Sequence, residues 1–527
     1  MQPSIEIPEI YNFAAVVDEY AEDGSRIAIV AVTEDRKEEY VPYWRLKDLS
    51  NRFANVLTAQ GIGRGDRVIV TLPRSVDAYV VYLGLLKVGA VVMPGSEMLR
   101  AKDLAYRIRH AGAKAVVAFE GIRNEFEAIR DQCPTVERYL LFGQAPGWVD
   151  LRAEMVKADR NFEPVPTRSD ELAFLSYTSG TTGGPKGVMH THSWPAAHVQ
   201  VAATYWFDVR PGEIAWATAG PGWAKWVWSP FVSILGKGGT AFVYRGRFDP
   251  KVYLDLLSEY PIGLFCATPT EYRLMAKVQG LENYRPRALR SAVSAGEPLN
   301  REVIDTFQRH FGVLVRDGYG QTENSLMVGT TVDTPVRPGS MGRPFPAYRI
   351  AVVDEDGREV PPGQVGDIAI HRDAATLFKG YLDDPERTEK AFRGEWYITG
   401  DQAKMDEDGY FWFEGRADDI IISAGYTIGP FEVEDALVKH PAVAECAAVA
   451  SPDPERGHIV KAFVVLREGY TGSPELTAEL QEHVKNTTAP YKYPREIEYV
   501  DGLPKTTSGK IRRVELRAQE RERKLSE

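Results

Sequence analysis

In the first part of the chain, short unbroken apolar runs alternate with stretches whose apolar residues recur at helical spacing. Residues 67–72 read as a buried strand ending at Pro73, and the next stretch places Val76, Tyr79, Val80, Leu83 and Leu86 on one helical face. Residues 91–93 read as another strand, and the alternation returns at 103–108 and 115–119. Strand–helix–strand repetition predicts parallel sheets covered by helices on both faces.

After residue 345 the pattern changes to short strands at 349–353, 367–371 and 410–413, parted by turn signals such as Asp356-Gly357 and Pro362-Gly363. That spacing predicts a small antiparallel or barrel-like element. Beyond residue 416 come strands near 443–449 and 461–466 and a helix near 476–483. At roughly 110 residues, this last segment has the size of a small domain. The expected fold is therefore α/β: a large N-terminal domain, 1–417, of parallel-type sheets flanked by helices with a small β-barrel-like part, and a small α+β C-terminal domain, 418–527. A chain of 527 residues is long enough for more than one core.

Composition changes this picture only by exclusion. With 63 Lys and Arg against 74 Asp and Glu, the formal charge is −11, so no global basic field favours nucleic acid or anionic lipid. Cys133, Cys266 and Cys446 lie far apart without metal-ligand spacing and read as small buried apolar groups in a reducing compartment. No basic stretch followed by an apolar one opens the chain, and no apolar run approaches the ~20 residues of a membrane span. A soluble, cytoplasmic protein is expected, with small-molecule partners, no nucleic acid and no membrane span; a homo-oligomer is compatible with the sequence. The basic tail 510–524 reads as a solvated helix end.

The richest chemistry lies in Tyr177-Thr-Ser-Gly-Thr-Thr-Gly-Gly-Pro-Lys-Gly187, which follows the apolar run 172–175 and so forms a loop leaving a strand. Gly180, Gly183 and Gly184 allow close backbone approach to a ligand. The hydroxyls of Thr178, Ser179, Thr181 and Thr182, with backbone N–H groups and Lys186, can surround phosphate oxygens. It is not a Walker A loop, because Pro185 precedes the lysine and Gly187 follows it. His190 and His192 lie two apart just after it, but no Cys or Asp cluster nearby completes a metal set, so they read as packed, hydrogen-bonded residues.

This loop resembles the phosphate-binding signature of the adenylate-forming enzymes: acyl-CoA synthetases, luciferases and the adenylation domains of peptide synthetases. The resemblance continues in order through 316–323 (Arg-Asp-Gly-Tyr-Gly-Gln-Thr-Glu), 398–401 (Ile-Thr-Gly-Asp), 414–419 (Glu-Gly-Arg-Ala-Asp-Asp) and 504–510 (Pro-Lys-Thr-Thr-Ser-Gly-Lys). It implies ATP, Mg2+ and coenzyme A as ligands. Attack of a carboxylate on the α-phosphorus brings two anions together, so the site must neutralise charge without reacting itself.

By that resemblance Glu323 is the Mg2+ ligand, Thr322 bonds the α-phosphate, and Lys510 serves the carboxylate and α-phosphate together as the catalytic lysine. Asp401 would accept from the ribose hydroxyls, with Arg416 adding to that grip. Gly296, Glu297 and Pro298, with Asp317, Gly318 and Tyr319, would enclose adenine, Tyr319 offering a stacking face, and Gln321 would also bind ATP. Asp418 matches the hinge about which the small domain rotates between the half-reactions. After rotation, Gly425 and Tyr426 would border the pantetheine tunnel, with Arg456, Tyr493 and Arg495 near the nucleotide end of CoA.

The acid is read from Gly320, where acetyl-specific relatives carry a tryptophan that closes the acyl pocket; glycine leaves space for a longer, branched or aromatic acid. Trp223, with Trp226 and Trp228 close by, would supply apolar surface. No aspartate between 219 and 239 stands ready for a substrate ammonium, which disfavours amino-acid activation. The segment 425–434 resembles the medium-chain acyl-CoA synthetase branch, although Thr427 replaces the arginine usual there. The expected activity is ligation of a medium-chain or branched short-chain acid to CoA through an acyl-adenylate, with an aryl (benzoate-type) CoA ligase as the alternative. A non-catalytic nucleotide sensor and a luciferase-like oxygenase are the rivals from other classes.

Overall fold

The apolar runs become the central strands of sheets, buried on both faces as parallel strands require. The structure, a computed structural model, describes residues 4–178, 185–296, 299, 301–423, 426–453, 456–488, 490–505 and 510–526. The chain forms two compact units, Met1–Arg349 with Arg372–Lys390, and Ile350–His371 with Ala391–Glu527.

In the first unit an eight-stranded sheet runs in the order Gly380–Tyr381, Lys186–Thr191, Leu172–Thr178, Val91–Pro94, Arg67–Thr71, Ala115–Phe119, Arg138–Phe142 and Val149–Asp150. Its inner strands are parallel, while Leu172–Thr178 and Lys186–Thr191 form an antiparallel pair. A nine-stranded sheet runs Arg343–Pro344, Leu326–Gly329, Val315–Gly320, Ser291–Ala295, Ile262–Ala267, Ile214–Ala217, Thr240–Tyr244, Ile27–Val32 and Glu38–Pro42. It too is parallel inside and antiparallel at both ends.

The helix Val76–Lys87 is buried almost all round, not on the single face read from its spacing. Its sequence is apolar on every side, and Gly84 lets Phe53 of the helix Tyr43–Ala59 lie where a Cβ would stand 2.4 Å from the ring. Lys87 is enclosed as well, its ammonium donating to Asp18 at 2.8 Å and Asn51 at 2.7 Å. Two π-helical stretches, Ala202–Phe207 and Val227–Ser233, interrupt the region rich in tryptophan. Pro230 inside the second removes a backbone donor, which favours a ladder out of α register.

In the second unit Ile350–Val353, Val365–His371, Trp396–Met405, Phe392–Arg393 and Phe411–Arg416 form an antiparallel sheet, with Gly357 and Gly363 at positive φ in its turns. An α+β segment follows: strands Val443–Asp453, Gly457–Leu466 and Glu496–Tyr499, with helices Pro430–Val438, Pro474–Thr487 and Arg513–Ser526. Here the expectation of a solvated tail needs correction. The last helix buries Leu516 and Glu520, and Glu520 bonds Ser451 and Lys461 while Arg523 and Lys524 pair with Glu496. Charged residues at helical spacing conceal a docking face whose charges are matched. No helix among the described residues is long and apolar enough to cross a membrane.

Candidate active site

The strands on either side of the phosphate loop form an antiparallel pair. Thr178 and Lys186 are cross-strand partners at its mouth, and Tyr177 faces Gly187. One helix, Ala101–Ala111, holds both ends of this loop: His110 Nδ1 lies 2.8 Å from the Tyr177 hydroxyl, and the Tyr106 hydroxyl donates to the Pro185 carbonyl at 2.9 Å. The two anchors are four residues apart and so share a helix face. Ser179, Gly180, Thr181, Thr182 and Gly183 lie outside the described residues.

Lys186 turns to a buried carboxylate. Its Nζ stands 2.9 Å from Glu323 Oε1 and donates to the Tyr381 hydroxyl at 3.0 Å, over whose ring it sits at 4.6 Å. Tyr381 itself donates to Glu323 Oε1 at 2.8 Å. Both bonds fall on Oε1, and among the described residues Oε2 makes none. A carboxylate oxygen left for a ligand is a hard donor of the kind Mg2+ takes together with substrate phosphates.

Glu323 stands in a tight turn at the end of the strand Val315–Gly320. Asn324 N donates to Gln321 O at 3.0 Å and Gln321 N to Ser325 O at 3.3 Å. The register shifts between Tyr319 and Gly320, and a Cβ on Gly320 would lie 2.0 Å from the Ser325 carbonyl oxygen. Glycine at 320 is thus demanded by the close return of the backbone, and the expectation that it leaves space for an acid needs correction, because the backbone of Ser325 and Leu326 fills the place its side chain would take.

The adenine candidates sit at neighbouring strand ends, Ala295 being paired with Gly318. Gly296 has φ +112°, and no atom stands within 4 Å of where its Cβ would be. Trp206 packs where a Gly318 side chain would be and donates to the Asp317 carbonyl at 3.0 Å. Burial pushes the Asp317 carboxyl up to about 8, against the amides of Gly318 and Leu299 and the charge of Lys225. Tyr319 and Gln321 are half-buried beside it, and Glu297 and Pro298 lie outside the described residues. Of the three tryptophans, Trp226 is core, stacked on Phe231 and against Tyr79 and Tyr82; Trp228 approaches Trp194; Trp223 remains half-buried.

The remaining candidates belong to the second unit. Asp401 is buried and is the cross-strand partner of Arg416. Arg416 Nε lies 3.3 Å from Asp418, and Arg517 of the last helix pairs with both Asp418 and Asp419. Lys510 is exposed, next to Ile511, which bridges to Lys505; residues 506–509 lie outside the described residues. Arg495 donates to the Tyr493 hydroxyl at 2.7 Å, and Lys485 lies 4.5 Å from the Tyr493 ring centre, a basic and aromatic cluster; Arg456 is exposed at a hairpin turn. Gly425 and the side chains of Tyr426 and Thr427 lie outside the described residues.

Sequence reasoning missed Tyr381, Tyr106 and His110, which carry no motif and reach the site only through sheet and helix packing.

The chain matches two family models, AMP-binding enzyme over residues 17–382 and AMP-binding enzyme C-terminal domain over 432–510. It is 54% identical over 520 residues to a Bacillus subtilis protein named uncharacterized acyl-CoA ligase YtcI, covering 98% of each chain. To mouse mitochondrial acyl-coenzyme A synthetase ACSM3 it is 42% identical over 532 residues, covering 98% of this chain and 92% of that one. Among solved structures it resembles the anthranilate CoA ligase AuaEII in complex with anthranoyl-AMP (TM-score 0.91, 28% identity, 98% of this chain and 99% of that one). It also resembles a benzoate CoA ligase from Burkholderia xenovorans (TM-score 0.84, 29% identity, 96% and 100%).

Proposed function

This chain belongs to the AMP-binding enzyme family as an AMP-forming acid–CoA ligase, and on that premise we propose the acid it activates and the residues that carry both half-reactions. Acid and ATP give acyl-AMP and pyrophosphate; acyl-AMP and CoA then give acyl-CoA and AMP. The observation that carries the reading is the Lys186–Glu323–Tyr381 triangle at the mouth of the phosphate loop. It brings a cation and a carboxylate together at Lys186, the cross-strand partner of Thr178, which supports their acting on the phosphates of ATP.

In the first half-reaction the loop hydroxyls and Lys186 bind the phosphates, Thr322 bonds the α-phosphate, and Lys510 holds the attacking carboxylate against it. Glu323, through its unused oxygen, would hold Mg2+, which when bound would neutralise charge on the phosphates. Gly296, Asp317, Gly318 and Tyr319 enclose adenine, Gln321 also binds ATP, and Asp401 with Arg416 grips the ribose. Asp317, largely neutral at pH 7, brings no second anion to the nucleotide. In the second half-reaction the 418–527 domain turns about Asp418, and Arg456, Tyr493 and Arg495 receive CoA. The enzyme works in the cytoplasm, where its three buried cysteines stay reduced.

The acid is a medium-chain or branched short-chain fatty acid, supported by the resemblance of the segment 425–434 to the medium-chain branch and by half-buried Trp223. An aryl acid is the second reading, favoured by the likeness to the anthranilate and benzoate ligases. Acid-dependent exchange of labelled pyrophosphate into ATP without CoA tests both. Exchange strongest with hexanoate, octanoate or 2-methylbutyrate supports the first, strongest with benzoate the second. Exchange with no acid contradicts the function.

A further inference from the structure

Three aromatic side chains stand in a column behind the segment that carries Thr322 and Glu323. His190, Trp194 and His198 are spaced four apart, running from the strand Lys186–Thr191 into the helix Ser193–Gln200. Their rings are in sequence contact, His190 to Trp194 at 5.5 Å and Trp194 to His198 at 4.7 Å, the second pair stacked. All three are buried.

Each ring binds a different residue of the segment. His190 Nε2 donates to the Thr322 carbonyl at 2.6 Å, Trp194 Nε1 donates to the Asn324 carbonyl, and His198 Nδ1 lies 2.6 Å from the Ser325 hydroxyl. The carbonyl between them, of Glu323, accepts from the Phe378 amide at 2.7 Å. Three successive carbonyls are therefore each captured by a donor, and the Asn324 side chain accepts from Thr376 as well. A turn whose peptide planes are all pinned has little freedom to swing its side chains.

The tautomers follow from the partners. His198 Nε2 faces the Trp228 carbonyl at 3.1 Å and Ser233 Oγ at 2.9 Å, so it carries the proton, and Nδ1 accepts from the Ser325 hydroxyl. His198 thereby ties the segment to the π-helical stretch Val227–Ser233 that follows Trp223. His190 must likewise be protonated on Nε2 to meet a carbonyl.

We infer that the His190–Trp194–His198 column is the positioning element that orients Thr322 and Glu323 for adenylate formation, with His198 joining that segment to the π-helical stretch Val227–Ser233. This rests on the reading of Thr322 and Glu323 as adenylation residues. All three rings are buried and bonded to the Thr322 carbonyl, the Asn324 carbonyl and the Ser325 hydroxyl. They act through the peptide planes they hold, and a displacement of about 1 Å at a reacting group costs on the order of 10²-fold in rate.

The test compares wild type with Trp194→Phe, which keeps a large ring but loses the N–H, with His190→Leu, and with His190→Gln, which keeps an N–H. Glu323→Gln serves as the reference. Pyrophosphate release with an acid the wild type uses reports adenylation, and thioester formation from supplied acyl-AMP reports the second half-reaction. Trp194→Phe and His190→Leu should slow adenylation by about 10- to 10²-fold and raise the Mg2+ concentration for half-maximal rate. Thioester formation should stay within about twofold, and His190→Gln should recover much of the loss. If Glu323→Gln adenylates like wild type, the reading of the site falls and the proposal with it. If Glu323→Gln is impaired while Trp194→Phe and His190→Leu adenylate normally, or lose both half-reactions equally, the positioning role alone is overturned.

Discussion

Tyr381→Phe isolates one atom of the triangle around Glu323. The hydroxyl donates to Glu323 Oε1 at 2.8 Å and accepts from Lys186 at 3.0 Å, while the ring keeps its edge contact with Phe378 at 4.8 Å and its place beneath the Lys186 ammonium. Glu323 and Tyr381 are 6% and 5% exposed, so water cannot readily replace the lost bond. A hydrogen bond to a charged group contributes about 1.5–3 kcal/mol. At about 1.4 kcal/mol per tenfold, the whole of that loss expressed in the adenylation transition state is about 10- to 10²-fold. The same energy lost from the folded state would lower the thermal midpoint by a few degrees instead. The assay is single-turnover acyl-AMP formation at saturating ATP beside a melting curve, for wild type and Tyr381→Phe. The expected result is slowed adenylation with thioester formation from supplied acyl-AMP unchanged. Wild-type adenylation with an unchanged midpoint would refute the argument, because the bond would then contribute to neither state.

Lys510→Ala should abolish adenylation, by at least about 10²-fold, yet leave thioester formation from supplied acyl-AMP largely intact; equal loss of both, measured separately, would contradict its role. Gly320→Ala places a Cβ 2.0 Å from a backbone oxygen, so the turn must move and adenylation should fall by about tenfold or more with every acid, which an acid series checks. A fall confined to long acids would make Gly320 only a pocket wall. Burial lowers His192 from 6.5 to about 4 and His198 from 6.5 to about 3. Both are held neutral in the fold while the unfolded chain binds protons below 6.5, so their contribution is complete above that pH and is lost as pH falls toward the folded values. From pH 6.5 to pH 5 each should cost about 2 kcal/mol of stability, read from urea midpoints; His192→Leu should flatten that slope, and an unchanged slope would contradict the assignment.

The fold was legible where pattern and burial coincide. The run 115–119 is the observed strand, because five apolar residues bounded by polar ones have one comfortable place, inside a parallel sheet. The helix Val76–Lys87 was read too narrowly, because spacing cannot distinguish an apolar face from full enclosure when a lysine is satisfied inside by Asp18 and Asn51. The last helix was read as solvated for the opposite reason: its buried Glu520 looks like any surface charge until Lys461, far away in sequence, is placed beside it.

The site was legible in its motifs and opaque in its supports. Glu323 and Lys186 stand in signature segments and were named as candidates, but residue type and order gave no sign that they meet each other at 2.9 Å. Tyr381, 58 residues beyond Glu323, joins them only because the strand Gly380–Tyr381 pairs with Lys186–Thr191. His190 and His198 were visible as residues, but no periodicity names the carbonyl or hydroxyl each would meet.

The central claim is tested most directly by AMP and acyl-CoA formation across an acid panel, with and without CoA. The panel runs from acetate through octanoate and includes isobutyrate, 2-methylbutyrate, benzoate and anthranilate. The account predicts CoA-dependent AMP release, one acyl-CoA per AMP, peaking at medium-chain or branched acids. A peak at benzoate or anthranilate would move the enzyme to the aryl reading, and no CoA-dependent AMP with any acid would contradict the account.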